Sequence, residues 1–364
     1  MANLADISAT VRSGTLHIYV AFDWGDEINL EHARRLVPAE VQELPRRKRT
    51  PSSIAYRPPP LRFPLDPVNL KLPEIGELEV VAEATLFDFA AVSVALHVPF
   101  QLSGGQLISL AGELADPASL VRKARETLKP LHERLLPAIQ KPFWQDDLNE
   151  EYFVFHLPPP APPIADNGEW VAGLIRLEAL PLSKEEIAEA VKLHLSYSPE
   201  DLLVPDWAAA VLFDCDCDET LQIVEFANLQ LLEFRHIDNR LDRSLGEAYR
   251  SVEPLGRVWF PFLRSHSRPL RALGGLKVEA NGLIERTGNV LKLVGDQYLA
   301  RVYRLLAARF HLQEWEQEIL RKLEVGEGVY QVLADQAATY RTELLEIIVI
   351  ILIFFEIVLA LFRH

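Results

Sequence analysis

Residues Ala90–Leu114 read AAVSVALHVPFQLSGGQLISLAGEL, and this stretch decides the fold class. Up to Phe100 it is an apolar run rich in Val, the composition of a buried strand, whereas Leu107, Leu110, Ala111 and Leu114 recur at helical spacing. The Ser-Gly-Gly between them is turn chemistry that lets a strand hand over to a helix beginning near Leu107. A strand–turn–helix unit of this kind predicts an α+β protein. The letters LSGGQ (Leu102–Gln106) also spell the signature of ABC-type transport ATPases. That signature grips a nucleotide already held by a GxxxxGK[ST] loop, and the chain has no such loop and no glycine followed directly by lysine. The turn is therefore read as structural.

Outward from this unit, short apolar or alternating runs predict strands at TLHIYVAF (15–22), ELEVVAEATLF (77–87), EYFVFHL (151–157), GEWVAGLIRLEAL (168–180) and DWAAAVLFD (206–214). Helices are predicted over Asn29 to Leu36, Leu107 to Ile139, Lys184 to His194 behind a Ser183/Glu186 capping box, and Thr220 to Tyr249. A long helix follows a strand-rich stretch twice, at Leu107 and at Thr220, a loose internal rhyme. The expected organisation is an N-terminal α+β half (1–156) with a basic Pro-rich loop, a Pro-rich connection (157–168), a second α+β half (169–285), a helical stalk (286–343) and a terminal apolar helix (344–362). The sheet units are expected to be mixed or antiparallel.

The net charge of −15 argues against nucleic acid as a direct partner, because neutralising a phosphate backbone needs a basic surface. The two cysteines, Cys215 and Cys217, form no disulfide framework. Basic residues do concentrate in one place: Arg46, Arg47, Lys48 and Arg49, followed by Arg57 and Arg62, stand in a proline-rich stretch without acidic neighbours, a pattern suited to anionic lipid headgroups.

Two constellations are candidates for chemistry. In LFDCDCDETLQIVE (212–225), Asp214, Asp216, Asp218 and Glu225 fall at positions 1, 3, 5 and 12 of an EF-hand-type calcium loop, although position 6 is Glu219 where the sharp turn wants glycine. Cys215 and Cys217 supply two thiols where a closed zinc site needs four ligands, and the ten histidines are scattered without HxxxH spacing. Along the following helix Glu225, Asn228, Arg235, Asn239 and Asp242 form a polar stripe, read as a paired network or as a polar groove for a partner or small ligand. No catalytic residues and no cofactor are assigned.

At the C-terminus, LLEIIVIILIFFEIVLALF (344–362) is apolar apart from Glu346 and Glu356. As a helix it would be roughly 28 Å long at 1.5 Å per residue, close to a bilayer's hydrocarbon thickness. The expectation is a single-pass tail anchor with the body on the cytosolic side, and with Glu356 facing another helix within the bilayer. Gly326 and Gly328 offer a break in the preceding stalk, after which Val329 to Phe362 can run as one coiled-coil-like helix.

The segments LQIVEFANLQLLEFRHIDNRLD (221–242), NVLKLVGDQYLARVYRLLAARFHLQEWEQEILRKLE (289–324) and YRTELLEIIVIILIFFEIVLALF (340–362), in that order, make the chain resemble the "required for meiotic nuclear division" family of membrane-anchored proteins. The resemblance covers Val204 to Phe362. It implies an α+β domain, a helical hairpin or coiled region, a C-terminal transmembrane helix and no established catalytic activity. Its eukaryotic relatives are associated with mitochondrial membranes, which would put the body on the matrix side, and one with support of mitochondrial translation. The function expected from all of this is a non-enzymatic, membrane-tethered scaffold or adapter. It would associate with further copies through its C-terminal helices and hold an unidentified cytosolic protein. The alternative is a metal-dependent enzyme or calcium-binding protein built on Asp214, Asp216, Asp218 and Glu225.

Overall fold

A computed structural model describes residues 10–37, 59–145, 148–252, 274–278, 280–282, 284 and 297–362. The chain divides into two units, one made of Met1–Phe234 with Glu285–Gln313 and the other of Arg235–Ile284 with Glu314–His364. The basic run Arg46, Arg47, Lys48 and Arg49 lies outside the described residues.

Among the described residues, the first unit is built on a seven-stranded mixed sheet. Its strands are β1 (Val11–Asp23), β3 (Leu61–Leu72), β4 (Gly76–Leu86), β5 (Ala91–Ser103), β7 (Asn149–Leu157), β8 (Leu202–Pro205) and β9 (Ala209–Phe213), in the spatial order β3-β4-β5-β1-β7-β9-β8. All neighbours are antiparallel except β7 and β9, which run parallel. A small ladder of β2 (Glu27–Ile28) and β6 (Ile139–Gln140) stands beside it. Strands on both sides of the proline stretch thus share one sheet.

Because side chains alternate along a strand, the sheet has two chemically distinct faces. One is apolar: Leu16, Ile18, Val20 and Phe22 of β1 join Val94, Leu96 and Val98 of β5 and Phe153 and Phe155 of β7 in the main core. Helices α2 (Gly104–Leu114), α3 (Ala118–Leu135) and α4 (Ile164–Arg176) cover that face with Leu107, Leu110, Leu128, Trp170, Val171 and Leu174. Two short helices, α1 (Leu30–Leu36) and α5 (Lys184–Ala190), add Leu30, Ala33 and Ala190 to the same core. The other face carries His17, Tyr19, Thr85, Ser93, His97, Tyr152 and His156. Against it lie the first turns of α6 (Asp218–Val252) and helix α7 (Gln297–Arg309), where Asn228 donates to the Glu150 carbonyl and the Tyr303 hydroxyl to Gln230.

LSGGQ resolves as a helix start. Ser103 caps α2: its Oγ accepts the Gln106 N–H at 3.3 Å, and Gln106 Oε1 accepts the Ser103 N–H at 3.0 Å. The helix begins at Gly104, three residues earlier than the spacing predicts, and the Gly104 carbonyl accepts Trp170 Nε1 at 3.1 Å from α4. The segment 168–180, predicted as a strand, is mostly α4. Trp170, Val171, Leu174 and Ile175 are all buried at helical spacing, and Leu177 ends the helix in the left-handed region at φ 54°. A short apolar run satisfies both periods, and here the helical one wins because Gly173 lets α4 approach Ile108 of α2 closely. Arg62, expected in a loop, is in β3 and paired with carboxylates.

The largest correction concerns the terminal helix. Residues 344–362 are the end of one continuous helix, α8 (Leu312–Phe362), which passes through Gly326 and Gly328 without a break. Among the described residues no helix is long and apolar enough to cross a membrane. The apolar side chains described at this end run from Leu345 to Leu359. They span roughly 22 Å at 1.5 Å per residue, against about 30 Å of hydrocarbon, with Glu346 and Glu356 among them. The expected transmembrane helix, tail anchor and membrane location are therefore withdrawn, and with them the reading of Glu356 as an intramembrane carboxylate.

Two substitutions test these contacts. Ser103→Ala removes the cap and is expected to cost about 1 kcal/mol in urea unfolding. At Gly14, a Cβ would stand 2.4 Å from the His156 carbonyl oxygen and 2.7 Å from the Phe100 ring, so Gly14→Ala is expected to cost about 2 kcal/mol or more by the same measurement.

Candidate functional site

Three adjacent strands each place one histidine on the polar face of the sheet. His17 of β1 is the direct register partner of His97 of β5, and His156 of β7 lies one diagonal step away, since His17 itself faces Val154. The rings touch in sequence. His97 Nδ1 and His17 Nδ1 are 2.8 Å apart, His17 Nε2 and His156 Nδ1 are 3.4 Å apart, and His156 Nε2 is 2.9 Å from the carbonyl oxygen of Asp214. The row begins at a half-buried edge, where His97 Nε2 lies 4.0 Å from Glu83 Oε2 of β4, and ends in the turn that starts α6.

Burial, with His97 and His156 as close neighbours, pushes the His17 pKa down to about 3. The centre of the row is thus a neutral imidazole. Cys217, in the turn before α6, lays its Sγ 3.5 Å from Nε2 and 3.6 Å from Nδ1 of His156. Burial, reinforced by Asp218 and Asp214, pushes that thiol up to about 12, so it is an apolar contact and not a thiolate nucleophile.

Next to the row runs a chain of charge. Arg62 Nη1 is 3.3 Å from Glu83 Oε2, and Arg62 Nη2 is 3.8 Å from Glu225 Oε2 of α6. Glu83 is held below the usual carboxylate range by its neighbours His97 and Arg62, against burial. Glu225 moves the other way: burial raises it, opposed by Arg62 and by the hydroxyls of Ser93 and Thr85.

The residues expected from the sequence are distributed differently. Glu225 and Asn228 are buried in the polar layer, whereas Arg235, Asn239 and Asp242 are exposed. Asp242 belongs to the second unit, where Lys322 Nζ bridges it at 2.7 Å and Asp238 at 2.8 Å. Asp214 and Asp216 sit in the turn before α6, with Asp214 Oδ1 accepting the Asp216 N–H, and Asp218 opens the helix; Glu225 faces Arg62 of β3. Among the described residues no group of three or more His, Cys, Asp and Glu side chains is arranged to hold a metal ion. In the imidazole row the reason is visible, because both nitrogens of His17 and of His156 already face partners, and the Cys217 sulfur is nearly equidistant from both nitrogens of its neighbour. The row went unpredicted because His17 is 80 residues from His97 and 139 from His156 in the chain. The signal available was a histidine flanked by apolar residues inside each of three strand-like runs.

Comparison with known proteins places the chain. A family model described as "Uncharacterized protein MJ0711, N-terminal domain" matches residues 13–219, from β1 to the first turn of α6, and the chain belongs to this family. The uncharacterized protein MJ0711 of Methanocaldococcus jannaschii is 29% identical over 201 residues, covering 54% of this chain and 61% of that relative's length. No solved structure matches. The resemblance to the meiotic nuclear division family is overturned. The family that matches lies over residues 13–219, almost wholly ahead of the Val204–Phe362 stretch that carried that resemblance, and nothing found links the chain to the other family.

The low His17 value carries a linkage consequence. The unfolded state takes up a proton near pH 6.5 and the folded state only near about 3, so stability is fully present above the first value and falls as the pH drops through this window. The loss is on the order of 1 kcal/mol per pH unit. Urea unfolding at several pH values is expected to show this slope, and His17→Gln to flatten it; equal slopes in the two proteins would contradict the assignment.

Proposed function

We propose that this member of the family is a non-enzymatic assembly scaffold, in which an α+β body carries a long helix that mates with the same helix of further copies. One observation carries the reading. Near the end of α8 every large apolar side chain described from Leu345 to Ile357 faces outward, as does Leu359, with Ile350 64%, Phe354 67% and Leu359 55% exposed. A patch this continuous marks an interaction surface.

The pattern favours a second copy as the occupant. Ile347, Ile348, Val349, Ile350 and Ile351 are all exposed, so the apolar surface runs around the helix and not along one stripe. A stripe would fit one groove, whereas an apolar cylinder needs neighbours on several sides. Copies of the same helix supply surfaces of equal length and character. The matched family region ends at residue 219, so α8 lies beyond it and the proposal concerns this chain alone.

Sedimentation of the full chain tests the reading. The protein is expected to run as an oligomer, and the double variant Ile350→Glu/Phe354→Glu as a monomer with an unchanged far-ultraviolet spectrum, because each charge costs several kcal/mol to bury unpaired. A monomeric parent protein, or an oligomer indifferent to both charges, would sink the proposal.

A further inference from the structure

Arg62, Glu83 and Glu225 place two carboxylates against one guanidinium in a largely buried layer, with Glu225 4% exposed and Arg62 and Glu83 mostly covered. An uncompensated charge in such a place is costly, and among the described residues the cluster is short of one positive charge. Titratable and charged groups face it from each element that packs there. Among the described residues they are His17 and Tyr19 of β1, Arg62 of β3, Glu83 of β4, His97 of β5, His156 of β7, Asp214 and Cys217 of the turn, and Asp218 and Glu225 at the start of α6. Arg62 is the only one of these that is permanently positive.

Hydrogen-bond direction shows where a proton can be added. The Asp214 carbonyl only accepts, so His156 Nε2 carries the hydrogen and His156 Nδ1 accepts from His17 Nε2. The bare nitrogen of the neutral His17 is then Nδ1, and at 2.8 Å it accepts from His97 Nδ1. One ring nitrogen remains uncommitted in the row, His97 Nε2, and it faces Glu83. A proton added there breaks no link, whereas one added to His17 or His156 would set two N–H groups against each other.

We propose that the imidazole row and the Arg62–Glu83–Glu225 cluster together form a one-proton binding site, occupied at His97 Nε2, which ties the hold of α6 on the sheet to proton availability. With the proton bound, Glu83 is shared between His97 and Arg62, and Arg62 is available to Glu225. With it released, Arg62 alone faces two carboxylates, and its grip on the α6 carboxylate slackens.

Ring-nitrogen and carboxyl-carbon NMR of the labelled full chain, with amide exchange corrected for intrinsic rates, tests this. Across a pH titration of the folded protein, the first proton taken up by the row is expected at His97 Nε2, while His17 and His156 keep their single hydrogen on Nε2. Protection of the α6 amides near Glu225 should fall as the pH rises and the proton leaves, by at most about tenfold per pH unit for one proton. Glu83→Gln, which removes the excess negative charge, should leave His97 neutral and make that protection independent of pH. A first proton elsewhere in the row of the parent protein, a proton on the Glu225 carboxyl instead, or unchanged pH dependence in Glu83→Gln would each overturn the proposal. Should the variant fail to fold, the ring and carboxyl signals of the parent protein decide alone.

Discussion

A backbone carbonyl accepts hydrogen bonds and never donates, and the Asp214 carbonyl therefore sets the direction of every hydrogen bond in the row of imidazoles that crosses the sheet. One fixed acceptor just past the end of β9 decides the tautomer of His156, which decides that of His17, which makes His97 the donor toward it. Three side chains with two ring nitrogens each would otherwise have several equivalent arrangements. A single arrangement requires the strands to hold their spacing, and the absence of a side chain at Gly14, directly against the His156 carbonyl, lets β1 and β7 come together there.

The sheet tolerates this polar layer because its opposite face supplies most of the stabilisation. Fully buried aromatic and aliphatic side chains on the α2–α4 side supply the non-directional driving force for burial. The α6 side can then carry groups whose burial is costly, provided that each finds a partner. Tyr152 reaches the Asp206 carbonyl, Arg309 reaches the carbonyls of Glu189 and Ala190, and Asn228 reaches that of Glu150. Directional contacts of this kind add little net stability but leave few alternative ways to pack α6 and α7, since any shift strands a buried polar atom.

The sequence made the apolar face legible and hid the polar one. β1, β4, β5, β7 and β9 follow from alternation and Val-rich runs, and α2 from its Ser-Gly-Gly start, because these are local properties. The segment 168–180 misled because Trp170, Val171, Leu174 and Ile175 fit either period, and tertiary packing of α4 on α2 chose between them. The stripe Glu225–Asp242, which reads in the sequence as a paired network or a polar groove, parts after Asn228: a helical repeat locates a face of α6 but not where the sheet beneath it ends. The acidic turn looked like a calcium loop because spacing along the chain ignores direction in space, and Glu225 is turned to Arg62.

The terminal run shows the same limit from the other side. Its apolar composition is plain, but composition does not identify what surrounds a helix, and residues 344–362 continue the charged turns of the same α8. Taken as one helix from Leu312, it joins a polar first part to an apolar end, with Lys322 paired to α6 carboxylates in the former and exposed Ile and Phe in the latter. Charge on one length of a helix and bare hydrocarbon on the next divide its work. The first part finds partners within its own chain, and the second has surface left to cover, which is the physical ground for proposing assembly through α8 and proton binding at the sheet.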